Sequence, residues 1–346
     1  MHKRYLKIFM FVFGLVIFIN TISTIMYLNN PKSFYFRPWE YFDEVAYKVD
    51  SITPVWEGSA TSDQTRKNHF YYQDPHEVLT TVDDDGYRLQ PLKDGEVEIL
   101  VGGDSTIFGS GLSDHETFPW ILSGLVNEKV FNGGRSSLSN TMQKPDMGSV
   151  SIVIDGVIER VINDSGVFVS YGYEEGNAYQ PLSRDEVEQF DLYQVVPPAR
   201  YLATSIMMRK LSQLKEDVVT KINGGEKEWL FNNHTMQPSD LESAVRSIKQ
   251  RHEKLASKNI RYIFMAVPSK QTIYDDSLDA FTRNYIHQLS ETLQNEGVEV
   301  INLLAAFERE KNSLQLYRNY DTHWNENGTR VAAEVVAEYL NNTENN

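Results

Sequence analysis

The sequence predicts an α/β protein: a three-layer α/β/α sandwich with about five parallel strands, preceded by one N-terminal transmembrane helix. Three observations predict it. From Val97 onward, short apolar runs alternate with helical patterns, the mark of βαβ units and a parallel sheet. The run from Ile8 to Leu28 contains no charged residue, and about 20 apolar residues span a bilayer. At 346 residues, 41% hydrophobic and 23% charged, the chain is long and apolar enough to bury a sizeable core.

Taken in order, residues 1–29 read as a basic stub and anchor. His2, Lys3, Arg4 and Lys7 precede the apolar run, and positive flanks stay cytoplasmic. That places the N-terminus inside and everything after Asn29 outside the cytoplasm. The rival reading is a cleaved signal peptide, but no A-x-A-like site follows and the run is long for such a segment. Residues 30–95 are aromatic-rich and irregular (Phe34, Tyr35, Phe36, Trp39, Tyr41, Phe42) and read as a juxtamembrane segment packing on the main domain. Asp83-Asp84-Asp85-Gly86 lacks the ligand alternation of a calcium loop and reads as a turn.

Residues 96–346 form the main domain. Its expected strands are Val97–Val101, Lys129–Phe131, Gly166–Tyr171, Arg261–Val267 and Val298–Leu303. Helical patterns lie near Pro119–Val126, Val150–Ile162, Leu241–Ala256 and Phe281–Asn295, with a last helix from about Asn327 to Leu340. Ser239-x-x-Glu242 is spaced as a capping box. In the last helix Val331, Val335, Tyr339 and Leu340 are expected to face inward. An insertion at about 176–237, with one helical stretch near Ala199–Leu214, has the size of a lid or partner surface.

A net charge of −15 argues against a nucleic-acid partner, because no basic patch is available to neutralise phosphates. The absence of cysteine excludes disulfides, thiolate metal sites, cysteine nucleophiles and acylated cysteine anchors. No histidine/carboxylate spacing points to a metal, and Gly109-x-Gly111 lacks the third glycine of a dinucleotide fingerprint.

The chemistry sits at the two ends of the domain. Gly102-Gly103-Asp104-Ser105 closes the first strand, and Asp321-Thr322-His323-Trp324-Asn325 precedes the last helix. A serine hydroxyl becomes a nucleophile when an imidazole takes its proton, and the imidazole needs a carboxylate to fix its tautomer. Ser105, His323 and Asp321 are those parts, and Ser105 falls at the carboxyl end of a strand, where open α/β sheets bind ligands. Each motif alone also fits a helix cap beside a loop. His115 reads as solvated, and Pro268-Ser269-Lys270 as a turn at the active edge.

Val101-Gly102-Gly103-Asp104-Ser105-Thr106 resembles the nucleophile block of the SGNH (GDSL-type) hydrolases. The run to Trp120 (Gly109, Gly111, Asp114, Glu116, Thr117, Pro119) and the upstream Gly86-Tyr87-Arg88 resemble a membrane-anchored bacterial subgroup. Asn132-Gly133-Gly134 resembles the second block, in which a glycine N–H, best matched by Gly134, joins the oxyanion hole. Asp321-Thr322-His323-Trp324-Asn325 resembles the D-x-H-W form of alginate O-acetyltransferase-like proteins, which place it ahead of the serine. The resemblance covers roughly residues 80 to 341 and implies an SGNH or flavodoxin-like sandwich.

It also implies G-x-N-D after the third strand, with the asparagine donating to the oxyanion. Counting from Gly166–Tyr171, Glu174 occupies the asparagine's place and Asn177 is its nearest substitute. An ionised carboxylate accepts hydrogen bonds and cannot donate them. The resemblance implies an esterase or O-acyltransferase acting on ester-linked acyl groups, acetyl by analogy, of an envelope or exported polysaccharide. It needs no cofactor. Its partners would be an acylated glycan, the bacterial cytoplasmic membrane through the N-terminal helix, and, for transfer, an acyl-donating membrane protein, with the catalytic domain on the periplasmic or extracellular side. Two alternatives stand beside it: a glycan-binding or assembly protein of the same fold with weak or lost turnover, and a structural envelope protein working through the insertion.

Overall fold

The computed structural model describes residues 2–29, 54–60, 76–81, 87–91, 93–144, 147–162, 235–318 and 322–344. The chain begins with helix α1 (His2–Asn29). Its apolar side chains, Phe11 and Phe18 among them, are exposed. Among the described residues, no helix is long and apolar enough to cross a membrane; the continuous stretch of α1 with described side chains is 5–19. Strands β1 (Pro54–Ala60) and β2 (His76–Thr81) then pair antiparallel.

The main domain alternates strand and helix: β3 (Ile99–Gly103), α2 (Ser105–Phe108), α3 (Phe118–Leu125), β4 (Val130–Gly134), α4 (Leu138–Thr141), β5 (Ile152–Ile158) and α5 (Glu159–Ile162). After the undescribed residues come α6 (Pro238–Ala256), β6 (Arg261–Val267), α7 (Lys270–Tyr274), α8 (Ala280–Asn295), β7 (Glu299–Asn302), α9 (Leu304–Glu310) and α10 (Glu326–Glu344). The five main strands form one parallel sheet in the order β4-β3-β5-β6-β7. This is the α/β sandwich read from the sequence.

Both faces of the sheet are covered, so its strands are apolar almost throughout. Ile99, Val101, Ile154, Ile263 and Met265 pack on one face with Phe118, Phe307, Val331, Val336 and Leu340 from α3, α9 and α10. Leu100, Val153, Tyr262 and Phe264 pack on the other with Ile248, Leu255, Tyr285 and Leu289 from α6 and α8. In α10, Val331 and Leu340 are buried and Val335 and Tyr339 pack against that core, as expected.

The central strand corrects the sequence reading. Val150–Ile162 is not a helix: Ile152–Ile158 is the third strand of the sheet, and only Glu159–Ile162 is helical. The β-branched Ile152, Val153, Ile154, Val157 and Ile158 suit a strand buried on both faces. Asp155, in its middle, is charge-paired: Arg251 Nη1 and Tyr262 Oη donate to its Oδ2 at 2.8 and 2.7 Å. The expected strand Gly166–Tyr171, most of the insertion at 176–237 and the Asp83–Gly86 turn lie outside the described residues. The cap of α6 also differs, built from Gln237 and Asp240 rather than Ser239 and Glu242.

Candidate active site

The serine turn is made by close backbone packing at the end of β3. Gly103 has φ +145°, and a Cβ there would lie 2.0 Å from the carbonyl oxygen of Gly156 on the neighbouring strand. No side chain fits. Asp104 then leaves the strand in an extended conformation and caps α2, its Oδ1 accepting from the Thr106 N–H at 2.6 Å. Its Oδ2 accepts from the Ile158 N–H at 3.2 Å, tying the turn to the end of β5. Ser105 opens the helix at the carboxyl edge of the sheet.

Strand β4 supports the same helix from the other side. Asn132 Nδ2 donates to the carbonyls of Ile107 and Phe108 at 3.3 and 3.5 Å, and its Oδ1 accepts from the Gly134 N–H at 2.9 Å. A Cβ on Gly134 would sit 2.3 Å from the Phe108 nitrogen, so only glycine lets α2 approach this closely. The Gly134 N–H, expected to face an oxyanion, is thus engaged by Asn132. Both residues position the serine helix.

The histidine reaches the serine from the segment before α10. Trp324 Nε1 donates to the Thr106 carbonyl at 3.1 Å, and its ring packs against Phe118 and Phe307. Asn325 accepts from the N–H groups of Asn327 and Gly328, both at 3.1 Å, capping α10. Held between these contacts, buried His323 places Nε2 2.8 Å from Ser105 Oγ. For Nε2 to accept the serine proton, the ring carries its own proton on Nδ1. Asp321, Glu174 and Asn177 lie outside the described residues.

Two residues at this edge were not read from the sequence. Because the third strand is β5, the residues that follow it are Glu159 and Arg160. Glu174 was placed by counting from Gly166–Tyr171 rather than from β5. Arg160 Nη1 donates to the Thr322 carbonyl at 3.0 Å, beside His323. Glu159 is fully buried, accepting from the Ser269 N–H at 3.0 Å and from the Thr272 hydroxyl, while its Oε1 has no partner among the described residues. The signal was present: a β-branched run followed by a charged pair reads as a strand ending at an active edge.

Burial pushes the Glu159 carboxyl up from 4.5 to about 7, against the hydrogen bonds from Thr272 and Ser269 that favour the anion. Between those values the fold retains a proton that the unfolded chain has released. The resulting stabilisation is complete below about pH 4.5 and lost as pH rises through about 7, an effect of order 3 kcal/mol. Glu159→Gln is expected to flatten this part of the stability curve in denaturant titrations at stepped pH. Wild-type pH dependence in the glutamine variant would contradict the assignment.

The remaining residues singled out are structural. His115 is exposed, whereas Ser269 and Lys270 are buried, Ser269 capping α7 through the Thr272 N–H at 3.3 Å. Among the described residues, no group of three or more histidine, aspartate or glutamate side chains could hold a metal ion.

Residues 222–346, which include the histidine segment, match the family described as "SGNH hydrolase-like domain, acetyltransferase AlgX". Over these residues the chain is similar to the SGNH hydrolase superfamily. The chain is 21% identical over 126 residues to the "probable alginate O-acetylase AlgJ" of Azotobacter vinelandii, covering 33% of this chain and 32% of that protein. It is 24% identical over 124 residues to the protein of the same name in Pseudomonas putida, with the same coverage. The matches thus span about a third of the length of these curated relatives. Among solved structures, a member of the lipolytic G-D-S-L family from Veillonella parvula aligns with TM-score 0.38 and 15% identity, over 70% of this chain and 97% of the other. A catalytic mutant of an acetylxylan esterase from Geobacillus stearothermophilus aligns with TM-score 0.38 and 12% identity, over 71% and 94%.

Proposed function

We propose that this protein is an extracytoplasmic serine esterase or O-acyltransferase acting on ester-linked acyl groups, acetyl foremost, of an envelope or exported polysaccharide. The observation that carries the reading is the 2.8 Å separation of Ser105 Oγ and His323 Nε2 across 218 residues of sequence. In the reaction, Oγ attacks the acyl carbonyl as Nε2 takes its proton. The sugar alcohol leaves with that proton, and an acyl-serine remains. Water as second acceptor completes hydrolysis; a sugar hydroxyl completes transfer. Asp321 is assigned to Nδ1 of His323, and the Ser105 amide to the oxyanion.

The substrate class is carried over from the alginate O-acetylases and the AlgX family match. The tether is assigned to α1. Its 28 residues rise about 42 Å, beyond the ~30 Å of a bilayer core, and the run from Ile8 to Leu28 is uncharged. The basic N-terminus faces the cytoplasm, and for transfer an acyl-donating membrane protein supplies the acyl group.

One observation favours a second reading, a glycan-binding protein of low turnover: the Gly134 N–H is engaged by Asn132. Losing one oxyanion donor costs about 100- to 1,000-fold in rate. The experiment that separates the readings incubates the full chain with acetylated xylan and acetylated alginate. Acetate release is followed directly, and acetyl movement to a deacetylated acceptor is followed by mass. Release or transfer that stops with Ser105→Ala is the expected result. Glycan binding with neither, unchanged in Ser105→Ala, would establish the binding role.

A further inference from the structure

We infer that Arg160 is a positioning residue for His323, and that the end of β5 sets the distance between the two reacting side chains. The inference rests on the esterase or acyltransferase reading above. Two contacts, two residues apart on one strand end, reach the two halves of the site. The Ile158 N–H donates to Asp104 Oδ2 at 3.2 Å, and Asp104 caps the helix that Ser105 opens. Arg160 Nη1 donates to the Thr322 carbonyl at 3.0 Å, one residue before His323.

The histidine segment needs such a support. Thr322 and His323 lie in a bend, outside any helix or strand. On the far side of His323, Trp324 is held by the Thr106 carbonyl and by its isolated bridge to Tyr317. On the near side, Arg160 holds the Thr322 carbonyl. A charge-assisted bond from a guanidinium is roughly twice as strong as a neutral one, and its planar fork is pre-organised where a lysine ammonium is not. Glu159 steadies the same strand end through Ser269 and Thr272 at the start of α7. Arg160 thus acts through His323 and is not assigned to the substrate. A displacement of about 1 Å at a reacting group costs up to about 100-fold in rate.

The test measures p-nitrophenyl acetate hydrolysis and fluorophosphonate inactivation in the full chain, with Arg160→Ala and Arg160→Lys. The alanine variant is expected to lose about 100-fold in kcat with KM little changed, and to recover part of that rate when millimolar guanidinium is added. Lysine, a single-point donor, is expected to fall between alanine and wild type. A wild-type rate in either variant would overturn the inference. So would a slow alanine variant with a lowered melting temperature and no recovery, since that is a structural role alone. If the alanine variant does not fold, the lysine variant decides: reduced kcat at unchanged KM supports the inference, and a wild-type kcat overturns it. Absence of hydrolysis and of serine labelling in the wild type would instead defeat the catalytic reading itself.

Discussion

His323→Ala is expected to slow ester turnover by about a million-fold, and Ser105→Ala by about the same factor. The two act as one unit: Oγ is 2.8 Å from Nε2, and neither gains anything from the other's absence. Combining the substitutions should therefore cost no more than either alone. Initial rates with p-nitrophenyl acetate, corrected for the uncatalysed reaction, read this directly. Most of the rate surviving in either single variant would mean that the observed activity comes from elsewhere in the protein.

The second large effect is on stability. Arg88 is buried with its Nε 2.7 Å from Asp114 Oδ1, and its Nη2 donates to the Leu112 carbonyl at 2.6 Å. Its Nη1 donates to the Gly109 carbonyl at 3.3 Å, at the left-handed residue that ends the serine helix. The guanidinium also lies 5.4 Å from the centre of the Phe108 ring. One side chain thus closes the loop between α2 and the turn at Asp114–Glu116. Arg88→Met leaves the Asp114 carboxylate buried without its cation, which costs about 3–5 kcal/mol. Adding Asp114→Asn should recover part of the loss by removing the stranded charge. Denaturant unfolding of the two variants checks this, and a loss below about 1 kcal/mol, the scale of an exposed ion pair, would contradict it.

How much of this was legible in the sequence depends on where each contact's partner lies. Strands β3, β6 and β7 and helices α3, α6, α8 and α10 follow from local pattern, because each buries a face whose period is written in its own residues. Strand β5 was misread because Asp155 and Gly156 interrupt its apolar run. What makes them acceptable lies far away: Arg251 and Tyr262 pair with Asp155, and Ile107 and Met265 fill the space beside Gly156. Counting from Gly166–Tyr171 rather than from β5 also left Glu159 and Arg160 unread.

The serine and histidine segments were readable because both are compact motifs with a known chemical demand. Arg160 was not, since it meets a backbone carbonyl 162 residues downstream, and a carbonyl carries no sequence signature. Gly134 shows a related limit. Its glycine identity was legible, but the close approach of Phe108 and the capture of its N–H by Asn132 appear only once α2 is packed on β4.

The most direct test of the central claim is covalent capture of the serine. The full chain is incubated with a fluorophosphonate probe, and the site of the adduct is mapped by peptide mass spectrometry. The account predicts a single adduct on Ser105 that is lost in Ser105→Ala and forms far more slowly in His323→Ala. A folded protein that takes no adduct at Ser105, or labels equally well without His323, would contradict it.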